Sequence, residues 1–92
     1  KMEFTAHVYV SGRVQGIGFR FFVSAVARGK KLRGFVRNLE DGRVEIMLQG
    51  ERDKIEEALN IIKSKHPLAK IKEFQVNWEE TGEKFEDFEI IY

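Results

Sequence analysis

Cysteine is absent from the 92-residue sequence. That removes disulfide frameworks, thiolate nucleophiles and sulfur metal ligands at once. Histidine occurs only as His7 and His66, far apart in the chain, and no Asp, Glu or His grouping has metal-ligand spacing. The expectation is a protein with no metal and no cofactor. Proline occurs once, at Pro67, and there is no linker, repeat or low-complexity segment. Charge of one sign is missing too: the formal net charge is +1, which gives no electrostatic case for a nucleic-acid or membrane partner, so any basic site must be local. No apolar run is long enough to span a bilayer, and no signal-peptide pattern is visible. These absences together predict a soluble, cytoplasmic protein, with a monomer as the default.

What remains is one domain, residues 1–92, with room for a modest core. Charged residues are 34% of the chain and Glu and Lys lead them, while Asn, Gln and Met are scarce. That balance matches proteins from hot environments. The stretch from Val10 to Arg20 stands out. Gly12, Gly16 and Gly18 let the backbone curl, and a curled run of N–H groups is a concave nest for an anion. An apolar stretch at helical spacing follows at once, so the loop ends at a helix N-terminus that also favours an anion. Arg13 and Arg20 flank it, and Arg20 has a planar fork suited to phosphate. No Gly-Lys-Ser/Thr follows and no Gly-x-Gly-x-x-Gly run is present, so the familiar nucleotide loops do not fit. The residues alone suggest a small anion such as phosphate. The other reading is a glycine-rich surface turn whose arginines face water.

Around that loop the chain alternates between two periods. Phe4, Ala6, Val8 and Val10 repeat at period two, which predicts a half-buried strand. It places His7 on the polar face as a solvated strand histidine. Phe19, Phe22, Val23 and Val26 mark one helix face, ending near Gly29, Lys30 and Lys31. Leu32 to Val36 reads as a second strand. Asn38 to Gly42 has turn chemistry with an Asp-Gly hairpin signal, and Val44, Ile46 and Leu48 form a third strand that Gly50 ends. Ile55, Ala58, Leu59 and Ile62 define a second helix, which Pro67 stops; His66 reads as a partner of its C-terminal dipole. Ile71 to Trp78 and Phe88 to Tyr92 alternate as two further strands.

The order is βαββαβ plus a final edge strand. The predicted fold class is α+β, a ferredoxin-like sandwich with two helices on one face of a mostly antiparallel sheet. Strands one and two, joined through a helix, then run parallel and end along the same edge. The glycine loop leaves strand one there and Asn38 leaves strand two there, so the nest, Arg20 and a carboxamide are expected to converge on one cleft. Taken alone, Asn38 reads more simply as a turn residue.

Two motifs carry a family resemblance: Gly12-Arg13-Val14-Gln15-Gly16-Ile17-Gly18-Phe19-Arg20 and Gly34-Phe35-Val36-Arg37-Asn38, the latter followed by Gly42, Val44 and Gly50. On these, and over essentially the whole chain, the sequence resembles the acylphosphatases, small enzymes that hydrolyse carboxyl-phosphate anhydrides to carboxylate and inorganic phosphate. Three departures are visible. Ile17 replaces the usual valine, Phe35 stands where tryptophan is common, and Lys31 stands where a glycine often ends the first helix. The resemblance implies that Arg20 binds phosphate together with the loop residues Arg13, Val14, Gln15, Gly16, Ile17, Gly18 and Phe19, and that Asn38 orients the attacking water. The chemistry agrees, because a carboxylate leaving group with a reference pKa of ~4 departs without a strong general acid. Phosphoryl transfer can then rest on positioning and charge stabilisation. Two other readings share the fold: a phosphate-binding regulatory domain without turnover, and an RNA-binding module, faintly suggested by Arg33-Gly34-Phe35-Val36. The third strand offers no aromatic platform for the latter.

Overall fold

The computed structural model describes residues 2–92. Its elements are β1 (Phe4–Arg13), α1 (Phe19–Gly29), β2 (Arg33–Asn38), β3 (Val44–Gly50), α2 (Arg52–Ser64), β4 (Lys70–Glu79) and β5 (Phe88–Ile91). The sheet order is β4-β1-β3-β2-β5. Every neighbouring pair is antiparallel except β2 and β5, which run parallel at one edge. The expected ferredoxin-like plan with an added C-terminal edge strand is therefore the architecture observed.

Alternation on β1 sends Ala6, Val8 and Val10 to the face the helices cover, opposite Leu48, Ile46 and Val44 of β3 in the ladder. All six are fully buried. α1 lays Phe19, Val23 and Ala27 onto this face, and α2 lays Ile55, Ala58, Leu59 and Ile62. Burying each large aliphatic or aromatic side chain contributes on the order of 1.5–3 kcal/mol, so these two stripes, and not helix propensity, hold the helices down.

Two strands run further than the hydrophobic alternation predicts. β1 continues to Arg13 by stepping its register against β4 at Ser11 and Gly12. There the strands approach so closely that a Cβ on Gly12 would collide with the Lys70 carbonyl oxygen. β2 continues to Asn38, which pairs with Val44. Asn38 is thus the last residue of a strand, and the turn begins after it.

α1 ends in a Schellman motif. The Leu32 N–H donates to Ala27 O and the Lys31 N–H to Arg28 O, which puts Lys31 in the left-handed region at φ 60°. This is the position where the resemblance leads one to expect glycine.

The sheet face away from the helices is not bare. The segment between β4 and β5 crosses it, tied down by Gln49, which accepts from the Phe85 N–H and donates to Glu83 O at 2.9 and 2.8 Å. Phe85 packs edge-on against Phe35 at 5.9 Å between centroids. Beside this segment, His7 is not the solvated strand histidine expected. Its Nε2 lies 2.6 Å from Glu45 and its Nδ1 3.1 Å from Glu79, because the β3–β1–β4 register brings both carboxylates diagonally across the sheet. His66 also differs from expectation: it lies beyond the α2 C-terminus and packs edge-on against Phe19 and Phe22.

Candidate active site

The loop from Val14 to Gly18 joins β1 to α1. Gly16 and Gly18 both take left-handed φ values, 79° and 76°, and a Cβ at either would meet nothing within 4 Å. Backbone geometry, not crowding, is what requires glycine there. Gly18 is also the N-cap of α1, and this helix start has neither a side-chain cap nor an acidic residue in its first turn. Helices normally satisfy their first N–H groups with such side chains. Here the end is left to attract a negative group.

The loop, the start of α1 and the end of β2 enclose a cleft of about 100 Å³ lined by Val14, Gly16, Gly18, Phe19, Arg20, Phe21 and Asn38. That volume is far below the roughly 300–1,000 Å³ of a pocket for a whole drug-sized ligand. It suits a small group held inside while the rest of the molecule stays outside.

Arg20 reaches the cleft from the first turn of α1. Its guanidinium lies over the Tyr92 ring at 4.8 Å and its Nη1 donates to Ile91 O at a long 3.4 Å. The C-terminal edge strand therefore supports the arginine without consuming its strongest hydrogen bonds. Asn38 reaches the same cleft from β2, and its Oδ1 is buried with no hydrogen-bond partner among the described residues. Buried polar atoms are almost always paired, so an unpaired one in a cleft points to chemistry there.

Other residues of the first motif go elsewhere. Arg13 is exposed at the end of β1, opposite Lys70. Ile17 is partly buried and packs on the core. The Gln15 side chain turns away from the cleft and donates to Leu39 O and Arg43 O, each at 2.9 Å. Phe21, by contrast, lines the cleft and is 64% exposed. The hydrophobic periodicity passes over it because it lies off the buried stripe of α1; an aromatic on the water-facing side of a helix is the signal that was available.

Behind Asn38, the neighbouring Arg37 turns to the opposite sheet face and grips Glu45, whose side chain is only 6% exposed. Burial pushes the Glu45 carboxyl up, but hydrogen bonds from His7 and Arg37 outweigh it and hold the group below its usual range. Among the described residues, no group of three or more His, Cys, Asp or Glu side chains is placed to hold a metal ion, and no helix is long and apolar enough to cross a membrane.

The fold and cleft define a small α+β protein with a narrow cleft lined by Arg20 and Asn38. Comparison with known proteins identifies the class further. The family model described as Acylphosphatase matches residues 6–90. The acylphosphatase of Archaeoglobus fulgidus is 45% identical over 85 residues, covering 92% of this chain and 94% of that one. The crystal structure of acylphosphatase from Bacillus subtilis superposes with a TM-score of 0.92 at 36% identity, over 99% of this chain and 100% of that one. Full-length HypF, in its phosphate- and nucleotide-bound form, contains a similar unit: TM-score 0.89 and 31% identity, over 99% of this chain but 12% of that one. The chain belongs to the acylphosphatase family, and acyl phosphate hydrolysis is the activity class that follows from membership.

Proposed function

We propose that the cleft holds the phosphoryl group of an acyl phosphate while a water oriented by Asn38 attacks phosphorus. The observation that carries this reading is the meeting of Arg20 with an unpaired, buried carboxamide oxygen in a cleft of about 100 Å³. The phosphoryl oxygens take hydrogen bonds from the loop amides and from the Arg20 fork, and the acyl group stays outside, at the rim where Phe21 is exposed. The Asn38 oxygen accepts from the attacking water and fixes its direction. The water oxygen forms the new bond to phosphorus, the bridging P–O bond breaks, and the carboxylate leaves with that bond's electron pair. The water's proton passes to a phosphoryl oxygen. A carboxylate with a reference pKa of ~4 needs no strong acid to depart, so neither a catalytic histidine nor a metal is required by this scheme.

The test is phosphate release from benzoyl phosphate in ¹⁸O-labelled water, with and without EDTA. The expected result is label in inorganic phosphate, unlabelled benzoate, and a rate that chelation leaves unchanged. Label in benzoate would mean attack at carbon. Activity lost to EDTA and restored by a divalent ion would require a different mechanism.

A further inference from the structure

We infer that Gln15 is a positioning residue for this reaction: its carboxamide locks the glycine-rich loop to the β2–β3 turn and so fixes where the Asn38-oriented water stands relative to phosphorus. The inference rests on the roles proposed above for the cleft and Asn38.

The Gln15 amide has two hydrogens, and both find an acceptor in the same turn, Leu39 O and Arg43 O at 2.9 Å each. That turn is already closed on itself, with the Leu39 N–H donating to Arg43 O at 2.8 Å and the Gly42 N–H to Leu39 O at 3.2 Å. Gln15 therefore grips a preformed ring of backbone. Leu39 follows Asn38 directly, Arg43 precedes Val44 directly, and Asn38 and Val44 are partners in the ladder. The clamp thus bears on the residues immediately beyond the Asn38–Val44 pair. The opposite end of the clamp lies between Val14 and Gly16, which both line the cleft.

Attack in line with the leaving group requires reacting atoms about 3–3.5 Å apart, and a misplacement of about 1 Å can cost on the order of 100-fold in rate. The loop and Arg20 place the phosphoryl group from one segment of chain; Asn38 places the water from another. Phosphate affinity depends on the first segment alone, so loosening the clamp acts on kcat and spares binding. The residue type fits this task. A glutamate here would set carboxylate oxygens against two carbonyl oxygens, and a residue shorter than glutamine would not span the gap.

The experiment is a double-mutant cycle. Gln15→Met keeps the length and removes both donors; Gln15→Glu keeps the length and turns the donors into acceptors. Each is made in the parent and in Asn38→Ala, and kcat, KM for benzoyl phosphate and Ki for inorganic phosphate are measured, with circular dichroism to confirm folding. In the parent background both substitutions are expected to lower kcat by roughly 10–100-fold with little change in phosphate Ki. In Asn38→Ala they are expected to change kcat very little, because no aligned water remains to be lost. A rise in phosphate Ki that matches the fall in kcat would overturn the inference and put the Gln15 side chain on phosphate. An equal kcat loss in both backgrounds would also overturn it, leaving a general loosening of the fold. Failure of the underlying reading looks different: the parent releases no phosphate, or Asn38→Ala alone keeps full kcat, and the Gln15 inference falls with it.

Discussion

Arg20 is supported from behind by Tyr92 and by the Ile91 carbonyl, and among the described residues no other hydrogen bond or ion pair is made by its guanidinium, so its fork can meet a ligand. Charge-assisted hydrogen bonds of this kind contribute about 1.5–3 kcal/mol each. Lysine keeps the charge and loses the planar fork. We therefore expect Arg20→Lys to raise the Ki for inorganic phosphate and to lower kcat/KM by roughly 100-fold or more; a variant with parental constants would show that bidentate recognition is the wrong picture. That Arg20 and Asn38 line one cleft was legible in the sequence, because connectivity alone brings the ends of β1 and β2 to one sheet edge. The directions of individual side chains were not. Gln15 sits in the middle of the loop motif, yet position in a motif says nothing of which way a carboxamide turns. Phe21 escapes hydrophobic periodicity, which finds what is buried, because Phe21 is exposed.

At the scale of elements, two local departures from the simplest design give measurable consequences. Lys31 holds a left-handed backbone conformation at the end of α1, which costs a residue with a Cβ about 1–2 kcal/mol, partly offset in glycine by its greater chain entropy. Lys31→Gly should stabilise the protein by about 0.5–1 kcal/mol, seen as a Tm rise of roughly 2–8 °C; an unchanged or lower Tm would mean that the lysine side chain contributes more than its backbone costs. The missing glycine was visible in the sequence, but the conformation that makes it matter was not.

On the open sheet face, Glu45 is buried between His7, Arg37 and Tyr9, with Glu79 on the far side of His7. Its carboxyl titrates below the usual range when folded, so the unfolded chain takes up that proton first. The stability Glu45 contributes is present above the ordinary glutamate pKa and is lost as pH falls through the folded value. Replacing it by glutamine should cost about 1–3 kcal/mol at pH 7, and urea unfolding of parent and Glu45→Gln should converge as pH is lowered toward 3. A gap that stays constant with pH would show that the carboxylate charge is not what the network uses. No single-strand pattern reveals this network, since it depends on diagonal neighbours across three strands.

For the whole molecule, hydrophobic period decided the architecture. The two-residue and helical repeats fall in an order compatible with few topologies, and the pairing rule for a strand, a helix and a second strand selects among them. The segment that crosses the open face has no such period, so its path over Phe35 and Gln49 could not be read from the chain. We propose that this architecture joins two parts with separate tasks: a loop and arginine that bind the phosphoryl group, and an asparagine from another strand that aims water at it. Asn38→Ala separates them. The decisive measurement is kcat for benzoyl phosphate beside Ki for inorganic phosphate in a folded Asn38→Ala variant. The account predicts a fall in kcat of at least ~100-fold with phosphate Ki nearly unchanged. Near-parental kcat, or a loss of phosphate binding as large as the loss of rate, would contradict it.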